Sequence, residues 1–250
     1  LHTAYRRQRQ MCIRDSFYGI GESELEYKLH DLMAKSKNPT IAPYAGTGEV
    51  KLRVTASLPE GEDAEALLQP AIDKILAVAG EYCYGIDVPD LQTAAVQALR
   101  KKGLTVASAE SCTGGLVAAR LTEVPGASAV FGCGIVSYNN TVKAEVLGVA
   151  PAIIEQHTAV SAETAAAMAE AVRKKSGADI GIGVTGNAGP SASEGQPVGL
   201  VFVAVASEKY SHVSRLFIDR HDADARNLIR HFAALKALSL ILRAAGYYKE

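Results

Sequence analysis

Hydrophobic and polar residues follow two different periods in the first third of this chain. Two stretches place leucines three or four residues apart, which predicts amphipathic helices over residues 22–35 and 63–81. Between them every second residue is apolar, which predicts a half-buried strand over residues 49–56. This helix–strand–helix unit is small, but it is long enough to bury a core of its own.

From residue 91 onward, helical and strand patterns alternate regularly. Helices are predicted over residues 91–102, 112–122, 141–147, 161–175 and 222–245. Strands are predicted over residues 104–108, 131–138, 180–184, 198–207 and 210–218. Such alternation is typical of a layered α/β domain. We therefore predict a three-layer α/β/α domain over residues 89–250, with a smaller α+β domain over residues 17–88 before it.

The first sixteen residues differ from the rest of the chain. Residues 1–16 contain four arginines and one acidic residue, and they show no apolar period. They also lack the continuous apolar region of a secretory signal. We predict a non-native segment that lies outside the fold. Because the chain begins with Leu1 rather than Met, we expect it to be a fragment of a longer protein.

Composition and charge narrow the class of protein. The 250-residue chain is 48% hydrophobic and 21% charged, which is ordinary globular usage. Its net charge is −1, and no basic stripe with interleaved aromatic residues suggests a nucleic-acid partner. The longest strongly apolar run, over residues 198–206, is far shorter than the roughly 20 residues of a membrane span. Four cysteines without a C-x-x-C motif favour neither a disulfide framework nor structural zinc. We predict a cytoplasmic protein with no membrane partner and no metal.

Three polar segments lie where predicted strands end, over residues 109–115, 137–143 and 185–197. In open α/β sheets, ligands bind at such places. Ser111 is expected at a helix start, among unpaired backbone N–H groups that favour an anion. Taken alone, Ser111 is as typical of a helix cap as of a functional residue. A lysine at the position of Lys143 is ordinarily just a solvated charge.

The sequence lacks the common catalytic motifs of hydrolases, metalloenzymes and nucleotide-binding enzymes. The chain has no G-x-S-x-G, no histidine placed as a base, no H-x-x-E-H spacing and no Walker A loop. A serine activated by a lysine of lowered pKa is the remaining chemistry, with Ser111 and Lys143 as candidates. Cys112 is a second candidate nucleophile, since a helix N-terminus favours a thiolate. Arg226 and Arg230 are spaced i, i+4 on the last helix and suit phosphate or carboxylate binding.

Several segments resemble a known family in the expected order. The C-terminal domain of the CinA family, a nicotinamide-nucleotide amidohydrolase, is similar to AESCTGG at 109–115, VPGAS at 124–128, VSYNNTVK at 136–143, AVSAETAAAMA at 159–169, TGNAGP at 185–190 and QPVG at 196–199. The family's middle, KH-like domain is similar to residues 19–32, 38–56 and 84–87. No segment resembles the family's N-terminal molybdopterin-binding-like domain, to which an ADP-ribose pyrophosphatase activity is attributed.

The resemblance implies an activity and a set of site residues. The reaction would convert the carboxamide of nicotinamide mononucleotide (NMN) to a carboxylate and ammonia during pyridine nucleotide recycling, without a cofactor. It implies Ser111 as nucleophile, Lys143 as general base, Tyr138 as support for the lysine, and Thr185 and Arg230 as further catalytic residues. We assign substrate binding to Cys112, Thr113, Gly114, Gly115, Gly186, Gly189 and Arg226, the glycines letting backbone N–H groups approach a phosphate or an oxyanion.

The chain also departs from the family pattern. Asn187 replaces an apolar residue, residues 191–196 read SASEGQ, and a usual G-D-R reads Asp224-Ala225-Arg226. Two alternatives therefore stay open: a non-catalytic nucleotide-binding module, and an interaction domain in DNA uptake or damage response. The KH-like segment lacks a G-x-x-G loop, so no RNA binding is expected. A symmetric homodimer is expected because many α/β enzymes of this size form one.

Overall fold

The computed structural model describes residues 8–59 and 62–247, with side chains from residue 11 onward. The chain divides into two compact units at Asp90–Leu91, close to the boundary expected from the sequence. No helix in the described part of the chain is long and apolar enough to cross a membrane.

The first unit is a four-stranded antiparallel sheet with two helices. Its elements are β1 (Gln8–Tyr18), α1 (Glu22–Lys35), β2 (Thr40–Ala45), β3 (Glu49–Pro59), α2 (Glu65–Ala79) and β4 (Cys83–Ile86). The strand order is β2-β3-β1-β4. Alternate residues of β3 point inward and pack with apolar side chains of both helices, so the predicted amphipathic patterns of β3, α1 and α2 are confirmed.

Three strands of this unit were not predicted. The expectation that residues 1–16 lie outside the fold is wrong for residues 8–16, because β1 pairs with β3 from Gln8 to Tyr18. Strands pair through backbone hydrogen bonds, which need no apolar pattern. This arginine-rich segment therefore gave no strand signal in the sequence. β2 is short and contains Pro43, and β4 is only four residues long. Residues 1–7 lie outside the described part of the chain.

The second unit contains a five-stranded mixed sheet. Its strands are β5 (Val106–Glu110), β6 (Phe131–Val136), β7 (Ile180–Gly186), β8 (Leu200–Ser207) and β9 (Ser211–Phe217), in the order β6-β5-β7-β8-β9. Its helices are α3 (Leu91–Lys102), α4 (Leu116–Glu123), α5 (Pro151–His157), α6 (Ala162–Ser176) and α7 (Ala225–Ala244). β5, β6 and β7 are parallel, whereas β8 and β9 run antiparallel to their neighbours.

Helices cover both faces of this sheet. α6 packs on one face, where Gly181 and Gly183 of β7 lie so close that an added Cβ would come within 2.0 and 2.2 Å of α6 carbonyl oxygens. Successive strand residues point to opposite faces. Ile182 and Val184 are therefore directed to the other face, where α7 packs on β7 and β8. The predicted three-layer α/β/α arrangement is confirmed.

Two helical segments near the parallel strands differ from expectation. α4 begins at Leu116 rather than at residue 112, because Gly114 and Gly115 adopt positive φ and keep residues 111–115 in turns. Residues Val142–Leu147 form a π-helical turn rather than an α-helix. π-Helical turns are rare and occur frequently at functional sites.

Candidate active site at the ends of the parallel strands

Ser111 and Lys143 meet where β5 ends. The Ser111 N–H donates to the Val184 carbonyl of β7 at 2.8 Å, so the β5–β7 ladder continues to this serine. Lys143 lies on the π-helical turn that follows β6, and its Nζ donates to Ser111 Oγ at 3.1 Å. Ser111 is 7% exposed and Lys143 is 1% exposed. The two residues predicted to react together are therefore a buried, hydrogen-bonded pair.

Burial changes the acid–base character of Lys143. Desolvation lowers the pKa of its ammonium below the ordinary value, because the charged form loses hydration. The negative charge of Glu194 acts in the opposite direction. A lysine with a lowered pKa has a larger neutral fraction near neutral pH, and only the neutral amine can accept the Ser111 proton.

A buried carboxylate builds the turn that carries Ser111. Glu110 accepts hydrogen bonds from the N–H groups of Val117 at 3.0 Å and Ala118 at 2.9 Å, and from Ser108 Oγ at 3.2 Å. It therefore satisfies backbone donors in the first turn of α4. This role of Glu110 was not predicted, although an acidic residue just before a helix start was a signal for it.

Cys112 is a poor nucleophile in this environment. Its side chain is buried, and burial raises the pKa of the thiol to about 12, with the Glu110 charge adding to the effect. The thiolate is therefore scarce at neutral pH, which favours Ser111. The backbone N–H groups of Cys112 and Thr113 come next to the serine, and neither donates to a carbonyl of another described residue.

A cavity of about 550 Å³ opens beside the Ser111–Lys143 pair. Eight of the twelve predicted site residues line it: Ser111, Cys112, Tyr138, Lys143, Thr185, Gly186, Gly189 and Arg226. The other four, which are not among the lining residues, are Thr113, Gly114, Gly115 and Arg230. The predicted residues are thus brought to one place, but only two of the four predicted glycines border the cavity.

The two arginines of α7 have different surroundings. Arg226 is exposed, and its guanidinium donates to the Gly189 carbonyl and, at 3.0 Å, to the Tyr138 hydroxyl. Tyr138, expected to support Lys143, therefore has Arg226 as its hydrogen-bond partner. Arg230 donates to the Thr113 carbonyl at 2.9 Å and so holds the 111–115 turn.

The loop of residues 187–199, between β7 and β8, forms one wall of the cavity. Asn187 Nδ2 donates to the carbonyls of Ser191 and Gln196, each at 3.1 Å, and its Oδ1 accepts from the Gly189 N–H at 2.9 Å. The polar residue that departs from the family pattern is thus used to hold this loop together. Thr185, at the end of β7, donates to the Ala159 carbonyl at 2.6 Å.

Several lining residues were not predicted from the sequence. Asn139, Asn140, Ala159 and Glu194 all border the cavity. Asn139 Oδ1 accepts from the Val142 N–H at 2.8 Å and so starts the turn that carries Lys143. An asparagine three residues before the capped N–H was the available signal.

The fold and the site define a two-unit α/β protein with a buried serine–lysine pair beside a cavity at the strand ends. Residues 89–245 match the CinA C-terminal domain and residues 16–85 match the damage-inducible protein CinA KH domain. The chain belongs to the CinA family.

Relatives and solved structures agree with this placement. A Bacillus pumilus protein whose name describes it as competence-damage inducible is 49% identical over 197 residues, covering 79% of this chain and 47% of that protein. A CinA-like protein of Kosmotoga olearia is 42% identical over 228 residues, covering 91% and 54%. The chain thus spans about half the length of the curated relatives it matches. The crystal structure of competence/damage inducible protein CihA from Agrobacterium tumefaciens is 35% identical with a TM-score of 0.58, covering 62% of this chain and 93% of that one.

Proposed function

We propose that this protein hydrolyses the carboxamide of NMN to nicotinate mononucleotide and ammonia, through an acyl-serine intermediate. The observation that carries the proposal is the 3.1 Å hydrogen bond from Lys143 Nζ to Ser111 Oγ, between two buried side chains beside a cavity. The resemblance to the family's amidohydrolase domain supplies the substrate.

The serine and lysine suffice for both halves of the reaction. Ser111 Oγ attacks the amide carbon while the neutral Lys143 amine accepts the serine proton. The protonated Lys143 then gives that proton to the amide nitrogen, the C–N bond breaks, and ammonia leaves. Lys143 next accepts a proton from water, and the resulting hydroxide attacks the ester. Lys143 then returns this proton to Ser111 Oγ as the ester C–O bond breaks, which releases free Ser111 and the acid product, and the acid ionises to the carboxylate.

Two further groups support this chemistry. The N–H groups of Cys112 and Thr113 are donors suited to the oxyanion that forms on the carbonyl oxygen, as in other acyl-transfer sites. Arg226 borders the same cavity and suits the substrate phosphate, because a guanidinium binds phosphate through two parallel hydrogen bonds.

The test is ammonia release from NMN by the full chain, beside Ser111→Ala and Lys143→Ala. We expect each variant to lose at least about 1,000-fold in kcat, since both residues act in one step. Ser211→Ala and Lys175→Ala change exposed residues outside the cavity lining and serve as matched controls.

The other outcomes separate the alternatives. Activity that survives Ser111→Ala would contradict the serine mechanism and point to Cys112 or a bound water. A folded parent that binds NMN but releases no ammonia would favour a non-catalytic binding module. A parent that neither binds nor hydrolyses NMN would favour an interaction domain.

A further inference from the structure

Glu194 lies at the tip of the cavity loop in a conformation that glutamate rarely adopts. Glu194 and Gly195 have φ of +51° and +72°, and the Ser193 and Gln196 backbones pair around them at 2.8 and 3.3 Å. Two central residues with positive φ make a tight hairpin turn of the type that normally selects Asn, Asp or Gly. The left-handed conformation is unfavourable for glutamate, so other contacts must hold it there.

The side chain of Glu194 supplies those contacts. Oε2 accepts a hydrogen bond from the Ala159 N–H at 2.7 Å, in the segment just before α6. Oε1 accepts from Asn140 Nδ2 at 3.3 Å, beside the π-helical turn that carries Lys143. One carboxylate therefore joins three separate parts of the cavity wall: the loop, the Lys143 turn and the segment before α6.

The same carboxylate carries the acidic charge that acts on Lys143. Glu194 favours the protonated lysine, in opposition to burial. The thiolate of Cys112 acts in the same direction, but it is scarce at neutral pH because burial raises the pKa of this thiol to about 12. Arg226, the other cation at the cavity, is held by Gly189 and Tyr138. Removing the Glu194 charge therefore leaves burial less opposed and lowers the pKa of Lys143 further.

We propose that Glu194 is a positioning residue, whose carboxylate fastens the cavity loop to the walls that carry Ala159 and Asn140 and whose charge acts on Lys143 across the site. Its effect on catalysis rests on the proposed amidohydrolase function. The effect of Glu194 on the loop does not rest on that function, so the loop contact and the proposed function can be tested separately.

The first experiment removes the charge and keeps the contact with Ala159. Glu194→Gln keeps the side-chain length and one acceptor oxygen for the Ala159 N–H. The acidic limb of kcat/KM for NMN, where Lys143 loses its proton, is expected to move to lower pH in this variant. Glu145→Gln makes the same chemical change on the Lys143 turn, at an exposed residue that has no charge effect on the lysine, and its profile should match the parent. Superimposable profiles for Glu194→Gln and the parent would overturn the charge effect.

The second experiment includes a readout that needs no activity, amide hydrogen exchange. In Glu194→Ala, amide hydrogen exchange should become faster in the segments that contain Ala159 and residues 187–197, and KM for NMN should rise by about tenfold, as loss of one charge-assisted hydrogen bond predicts. Unchanged exchange in both segments would overturn the proposal. If the parent fails to hydrolyse NMN, the proposed function fails, and the exchange result alone decides whether Glu194 holds the loop.

Discussion

Arg226 is the residue through which we expect the cavity to distinguish a phosphorylated ligand from a neutral one. Among the described residues that line the cavity, the cations are the buried Lys143 and the exposed Arg226. The lysine already donates to Ser111, whereas the partners of the Arg226 guanidinium among the described residues are a carbonyl and a hydroxyl oxygen, both neutral. A substrate phosphate would offer it a stronger, charged partner.

Arg226→Ala should therefore raise KM for NMN by about 10- to 100-fold, the effect of losing a hydrogen bond to a charged group. KM for nicotinamide riboside, which has no phosphate, should stay close to the parent value. Steady-state kinetics with both substrates make the comparison, and Arg215→Ala, an exposed arginine on β9, is the matched control. Equal losses with both substrates would show that Arg226 shapes the cavity rather than recognising phosphate.

Residue types and motif order were enough to select Ser111 and Lys143, but not the groups that hold them. Glu110, Asn187 and Glu194 act through hydrogen bonds between side chains and backbone groups. The partner of Glu194 lies 35 residues away along the chain, so no local pattern reveals the contact. Tyr138, predicted to support Lys143, lines the cavity, but its hydrogen-bond partner is Arg226, whose position depends on how close α7 comes.

At the scale of elements, the contact between α6 and β7 depends on glycine. The added Cβ of an alanine at position 183 would lie 2.2 Å from the Ala165 carbonyl oxygen and 2.6 Å from the Ala169 nitrogen, both backbone atoms of α6. These atoms cannot move away as a flexible side chain would, so the helix and the strand would have to separate.

Gly183→Ala is expected to lower the free energy of unfolding of the second unit by about 1–3 kcal/mol, the usual cost of overpacking. Thermal unfolding followed by circular dichroism measures the effect. Gly132→Ala is the matched control, since Gly132 lies in β6 of the same sheet with nothing within 4 Å of its added Cβ. A Gly183→Ala protein as stable as Gly132→Ala would show that α6 can shift freely.

Periodicity predicted long elements well and short or unusual ones poorly. α1 and α3 follow the apolar spacing, because each helix buries one stripe. β2 and β4 are short strands of six and four residues, and too few positions alternate in them to give a pattern. The π-helical turn at Lys143 was also out of reach, because its widening comes from the backbone and not from residue spacing.

At the scale of the whole molecule, the first unit contains a buried acidic residue. Asp15 of β1 is fully buried, and neither carboxylate oxygen has a hydrogen-bond partner among the described residues. Burial, and secondly the charge of Asp87, raise its pKa to about 6. The protonated form is therefore favoured in the folded state. Its contribution to stability is fully present below the unfolded-state pKa of about 4 and is lost as pH rises through about 6.

Asp15→Asn is uncharged at every pH, so it should unfold at a higher temperature than the parent at pH 8. This difference in unfolding temperature should shrink towards pH 4, where Asp15 of the parent is protonated. The expected gap at pH 8 is about 3 kcal/mol for the first unit, from a shift of about two pKa units. Differential scanning calorimetry across this pH range measures it. Asp31→Asn, at an exposed aspartate of α1, should show no such gap. A constant difference between Asp15→Asn and the parent at every pH would contradict the raised pKa.

Both backbone polar groups of Ala159 are held, its N–H by Glu194 and its carbonyl by Thr185. Both contacts are made by the main chain, so a change of side chain leaves this donor and acceptor in place unless the new residue is proline. An alanine scan is blind to this position, because the residue is already alanine. Side-chain substitution at residue 159 therefore does not test these two backbone contacts. Ala159→Pro, which removes the amide hydrogen, is the substitution that addresses the contact directly.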